Sequence, residues 1–184
     1  MTPVHRALAF VLSTVSSAGC LVSSLHPVYT DAAIVFDEAL LGTWVNRESE
    51  VSAIVSRGEW KSYQIAFTDR FGTSRFDGRL TTIGTARFLS VRPSDALDQP
   101  AFVVATHGFM QIESGPGRVR VREPEYAAVL SRARAGKLGV EAATDVKQNV
   151  ILTARSSRLR AWLAAAVKDP ALWAEWKTFT RSAE

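Results

Sequence analysis

The side chains that do nucleophilic, acid–base or metal chemistry near neutral pH are scarce in this sequence. Its 184 residues include one cysteine, Cys20, and three histidines. His5 falls in a short basic and apolar leader, so only His26 and His107 stand beyond it. No His-x-x-x-His spacing joins them into a zinc site. No Gly-x-Ser-x-Gly elbow presents a nucleophilic serine, and no glycine-rich loop leads into a helix to hold a phosphate. General acid–base catalysis needs partners within hydrogen-bond reach, and spacing alone singles out no pair among the 18 acids. The expectation is a non-catalytic protein with no metal and no cofactor. Converging carboxylates, as in an unrecognised hydrolase, are the catalytic alternative.

Cys20 is the one reactive group whose surroundings form a pattern. Before it lie His5 and Arg6, then the apolar run Ala7 to Leu12, then small residues ending in Ser16-Ser17-Ala18-Gly19. That order of charge, apolar stretch and small residues is the layout of a secretory signal. The apolar run is too short to span a bilayer, which takes about 20 residues. A lone cysteine in an exported chain has no disulfide partner. Ala18-Gly19-Cys20 resembles the lipobox of bacterial lipoproteins, although Ser17 stands where that class prefers Leu. The resemblance implies removal of residues 1–19 and acylation of Cys20, with the bilayer as a partner. Ser16-Ser17-Ala18 also fits a cut after Ala18, which would leave a free thiol. Leu21, in place of the Asp that retains such proteins at the inner membrane, points to the periplasmic face of the outer membrane.

Composition bounds the remainder. A hydrophobic content of 47% and the length suffice for one packed domain. The formal charge of +4 comes from scattered arginines rather than a clustered stripe, so no nucleic-acid partner is expected. Residues 20–36 read as a lipidated tether, too apolar in Leu25, Val28, Tyr29, Ile34 and Phe36 to float wholly free. Asp37 offers a helix N-cap and Gly42 a stop, with about one turn between them.

Strands follow. Tyr63, Ile65 and Phe67 alternate with Ser62, Gln64 and Ala66, and Phe76, Gly78 and Leu80 alternate with Arg75, Asp77 and Arg79. This is the period-two mark of a sheet with one buried face. Strands are expected over 43–46, 51–56, 60–68, 75–83, 86–91, 101–113 and 118–122, with a short last one at 151–153. Helices are expected near 124–134, opened by Pro124, and near 156–176, where Leu159, Trp162, Leu163 and Ala166 follow helical spacing after a Ser156 cap. Such a sheet leaves two edges unless it closes. The fold class is therefore mostly β (α+β): an antiparallel eight-stranded barrel over 37–184 with C-terminal amphipathic helices packed on it. A two-layer sandwich capped by those helices is the alternative.

Gly42-Thr43-Trp44, after a helical turn and at the head of the first strand, resembles the Gly-x-Trp signature of lipocalins and the wider calycin group. The resemblance implies that Gly42 and Trp44 plug the closed end of the barrel, with Arg155 as the candidate arginine partner. The Thr-Asp-Tyr motif of lipocalins is missing. Over nearly the whole mature chain the sequence is similar to a group of uncharacterised bacterial lipoproteins, through Cys20, Ser24-Leu25-His26-Pro27-Val28-Tyr29-Thr30, Leu40 to Trp44, His107 to Phe109 and Leu152 to Ala154. No chemistry carries over from that group. The implied barrel would line a small apolar or lipid ligand with Tyr63, Ile65, Phe67, Phe76 and Leu80. His107 shares a strand face with Phe109 and Gln111, where it would meet a ligand headgroup or rest as a satisfied core histidine. The alternating Arg118, Arg120 and Arg122 read as a solvated face or one turned to anionic lipid. A filled barrel serving as a protein-interaction module of the cell envelope is the second functional reading.

Overall fold

The computed structural model describes residues 22–94 and 104–182. The leader over 1–19, Cys20 and the first part of the expected 101–113 strand lie outside the described residues. In chain order the elements are β1 (Val22–Ser24), β2 (Ile34–Val35), β3 (Gly42–Asn46), β4 (Val51–Arg57), β5 (Ser62–Asp69), β6 (Gly72–Ile83), β7 (Ala86–Pro93), β8 (Gly108–Gly115), β9 (Arg118–Arg122), α1 (Tyr126–Arg134), β10 (Ala142–Thr144), β11 (Val150–Leu152), α2 (Ser156–Ala166) and β12 (Lys177–Arg181). Single 3-10 turns occupy Asp31–Ala33, Glu38–Leu40 and Pro170–Leu172.

Eight strands close into an antiparallel barrel. The ring runs β6, β5, β4, β3, β12, β9, β8, β7 and back to β6. Closure removes the sheet edges and excludes the sandwich. The alternation that predicts β5 and β6 sets the register: Tyr63 faces Gly78 and Ile65 faces Phe76. Where β5 stops at Ser62, the two residues of β2 take over the same edge of β6, opposite Leu80 and Thr81.

The strand that seals the ring is not the one expected. Residues 151–153 were to be the last barrel strand, but β11 lies in a separate three-stranded sheet with β1 and β10. The seal is β12, between β3 and β9. The helical region expected near 156–176 is not helical throughout: residues 173–176 carry no helix. The expected break at Asp169-Pro170 is there: α2 stops at Ala166, and Asp169 caps the short turn at Pro170–Leu172 by accepting from Ala171 N–H. In β12 only Phe179 is buried while Thr178 and Thr180 face water, a pattern too short to stand out.

The supposed tether is also part of the body. Val22 and Val28 are buried, β1 pairs with β11, and Arg160 from α2 donates to the Val28 carbonyl and to Thr81 Oγ1. As its apolar residues led one to expect, this segment does not float free of the body. Ser156 is the first helical residue of α2, and the capping position belongs to Arg155. Glu125, not Pro124, precedes α1.

Two hydrophobic cores share one wall. The first fills the barrel: Leu40, Trp44, Tyr63, Leu80, Leu89, Ile112, Val119 and Phe179. The second, and larger, lies outside the barrel. There Phe88 and Phe109 project from the outer faces of β7 and β8 against Leu159, Trp162, Leu163 and Trp173. Strands β7 and β8 are thus apolar on both faces.

Candidate functional site

One end of the barrel is shut by the segment that enters β3. Asp37 caps the Glu38–Leu40 turn by accepting from Ala39 N–H at 2.9 Å. Its other carboxylate oxygen takes Arg87 Nη2 at 2.6 Å and Ser114 Oγ at 3.1 Å. Asp37 N–H donates to Tyr63 Oη at 2.7 Å, and the Tyr63 hydroxyl donates back to the Asp37 carbonyl at 3.2 Å. Burial pushes the Asp37 carboxyl up, but donors from Arg87, Ala39 and Ser114 outweigh it and hold the group below its ordinary value. Burial also raises the Tyr63 phenol. Phe36 stacks on Tyr63 at 4.8 Å, with the Arg57 guanidinium over its other side. The same end holds Trp44, whose Nε1–H donates to the Leu40 carbonyl at 2.8 Å.

The arginine over Trp44 is Arg181, not Arg155. The Arg181 guanidinium lies 4.5 Å from the indole centre and donates to the carbonyls of Leu41 (2.7 Å) and Ala39 (2.9 Å). Arg155 is exposed at the head of α2, and its carbonyl accepts from Arg158 and Leu159. Sequence order misled: Arg155 follows the strand that was expected to close the ring, and Arg181 ends the strand that does. Gly42 fits this closure twice over. Its φ of +124° is one that side chains rarely adopt, and a Cβ there would stand 2.3 Å from Arg181 Nη1.

The opposite end is different. Of the expected ligand-lining residues, Tyr63 and Leu80 are fully buried in the closed half. Ile65, Phe67 and Phe76 also point inward but are only half-buried. The register sets beside them Val51, Val91, Met110 and Val121, all half-buried and packed on the same inner core. These seven side chains make an apolar mouth. Sequence reasoning missed the last four, each of which sits at an inward alternate position of its strand.

His107 does not join them. Its N–H and carbonyl pair with Ser24 at 2.8 and 2.9 Å, just ahead of β8 and on the parity of outward-facing Phe109. The ring is edge-on to Tyr29, with centroids 6.4 Å apart. Burial, then Arg92 and His26, lower its pKa. The large Phe109 suggested an inward face, but it packs in the outer core. The arginine row is engaged as well. Arg120 pairs with Glu113 at 3.2 Å, Arg122 donates to Gln111 at 2.8 Å, and both lie over Trp176.

Two open hollows flank the barrel among the described residues. One of about 390 Å³ lies between Arg132, Leu138, Trp162 and Asp169, and one of about 430 Å³ between Asn46, Glu48, Trp176 and Thr180. Among the described residues no cluster of His, Cys, Asp and Glu could hold a metal, and no helix is long and apolar enough to cross a membrane. No protein-family model, curated protein or solved structure matches this chain.

Proposed function

We propose that this is an envelope lipoprotein, anchored through Cys20 at the periplasmic face of the outer membrane, whose barrel is a non-catalytic binding domain for a small apolar or lipid ligand. The observation that carries the binding reading is the difference between the barrel's ends. One end is sealed by Trp44, Arg181 and the Asp37–Arg87–Tyr63 network. At the other, inward apolar side chains keep part of their surface in water, and covering that surface is favourable at about 25 cal/mol per Å². The Gly42, Trp44 and Arg181 arrangement supports the likeness to calycins. Acylation of Cys20 rests on the sequence pattern of its leader.

The test is the mass of protein purified from membranes, measured native and then denatured. A denatured mass that includes acyl chains supports the anchor, and a native excess supports a carried ligand. Titration with a fluorescent fatty acid then locates the ligand. Phe67→Asp or Phe76→Asp should abolish binding while Ile54→Asp, on the outer wall, should not. A native mass equal to the anchored chain, together with no probe binding, would refute the ligand reading. That result would favour the protein-interaction module, for which the hollows outside the barrel are the supporting observation.

A further inference from the structure

One residue, Leu21, separates Cys20 from Val22 in the sequence. Val22, two residues on, is 5% exposed and already paired in β1. Two residues span at most about 7 Å, so an acyl anchor on Cys20 holds the start of β1 at the lipid surface. What lies beside that point is fixed by the sheet. β1 runs parallel to β11 with Val22 opposite Val150, and Val150 opposite Thr144 of β10. The turn that joins β10 to β11 therefore projects from the same end.

That turn is hydrogen-bonded within itself and to α1, and it carries an apolar tip. The Asp145 carboxylate accepts from Lys147 N–H, Asn149 N–H and Asn149 Nδ2, and Gln148 N–H donates to the Asp145 carbonyl. Gln148 is braced to α1, its carbonyl accepting from Tyr126 Oη and its Oε1 from Arg134 Nη2. Val146, at the apex, is 97% exposed. Lys147 is next to it and also exposed. The acid of the turn, Asp145, is spent on the turn's own donors.

We propose that the turn Asp145–Asn149 is the membrane-docking edge of the protein: Val146 enters the boundary between headgroups and acyl chains, while Lys147 meets anionic headgroups. An exposed apolar residue beside a lysine, with the neighbouring acid held by the turn's own donors, suits that boundary. The inference rests on the anchored reading above and extends it by naming the face that meets the lipid.

Acylation consumes the Cys20 sulfur, so a cysteine introduced elsewhere is the sole free thiol of the mature protein. The full chain, matured in membranes and carrying Val146→Cys, is labelled with an environment-sensitive fluorophore and placed in vesicles of zwitterionic and anionic phospholipid. Phe71→Cys, at the 82% exposed tip of the β5–β6 hairpin, is the matched control. Peripheral apolar residues sit about 5–10 Å deep, so bromines on the upper acyl chain should remove about half or more of the emission at 146 and leave that at 71 unchanged. Both substitutions are on the surface and leave the cores intact. With the acyl mass confirmed, emission at 146 that is unquenched, or quenched no more than at 71, overturns the docking edge alone. A mass without acyl chains overturns the edge and the anchor together.

Discussion

Replacing Gly42 by alanine tests the closed end most directly. A residue held at an unfavourable backbone angle costs about 1–3 kcal/mol, and Gly42 has φ +124°. The added methyl would also stand 2.3 Å from Arg181 Nη1 and displace the guanidinium from two carbonyls and the Trp44 ring. Those contacts are exposed, so their joint worth is discounted to about 1–2 kcal/mol. Gly42→Ala should then destabilise by about 2–5 kcal/mol and Arg181→Ala by about 1–2 kcal/mol, read from urea unfolding followed by tryptophan emission. The decisive quantity is the coupling. In an Arg181→Ala background the methyl meets no guanidinium, so Gly42→Ala should cost only its backbone part, leaving about 1–2 kcal/mol of interaction between the two sites. Costs that add to within about 0.3 kcal/mol would refute the reasoning. They would mean that the arginine does not lie on the glycine.

Arg155→Ala should change stability by less than about 0.5 kcal/mol in the same assay, because its exposed side chain caps nothing. Tyr63→Phe should cost about 1–2 kcal/mol, since it leaves Asp37 N–H without its acceptor. Phe179→Ala should cost about 3–5 kcal/mol and lower the unfolding midpoint, because it empties the buried position of the sealing strand. Asp37 gives a pH test. Its folded carboxyl titrates below the ordinary 3.8, so its contribution is complete above that value and is lost as pH falls through the lower folded one. Asp37→Asn should be less stable than the wild type near pH 7, and the gap should narrow in unfolding curves taken at progressively lower pH below 3.8.

Elements with one wet face were legible from residue types alone. The inward set of β5 and β6 follows from Tyr63, Ile65, Phe67, Phe76 and Leu80, and α2 follows from Leu159, Trp162 and Leu163. The ambiguity lay where both faces are dry. In β8, Phe109 and Met110 are adjacent and both apolar, one bound for each core, so alternation carries no phase there and left open which core His107 adjoins. The partner of Trp44 was hidden for another reason. It depends on which distant segment closes the ring, and the five residues Lys177–Arg181 with one buried side chain say little about long-range pairing. Gly42 and Trp44 were readable because they are local; Arg181 was not, because its role is set by topology.

The position of β12 also governs when the ring can form. β3 and β9 cannot meet until residues 177–181 arrive between them, so from the end of β9 at Arg122 until β12 is made a nascent chain carries seven barrel strands in an unfinished sheet. Such late, non-local pairing delays folding. Until β12 is in place, β3 and β9 are open edges with unpaired backbone groups, so the interval between β9 and β12 is when the sheet is most exposed to pairing with another chain.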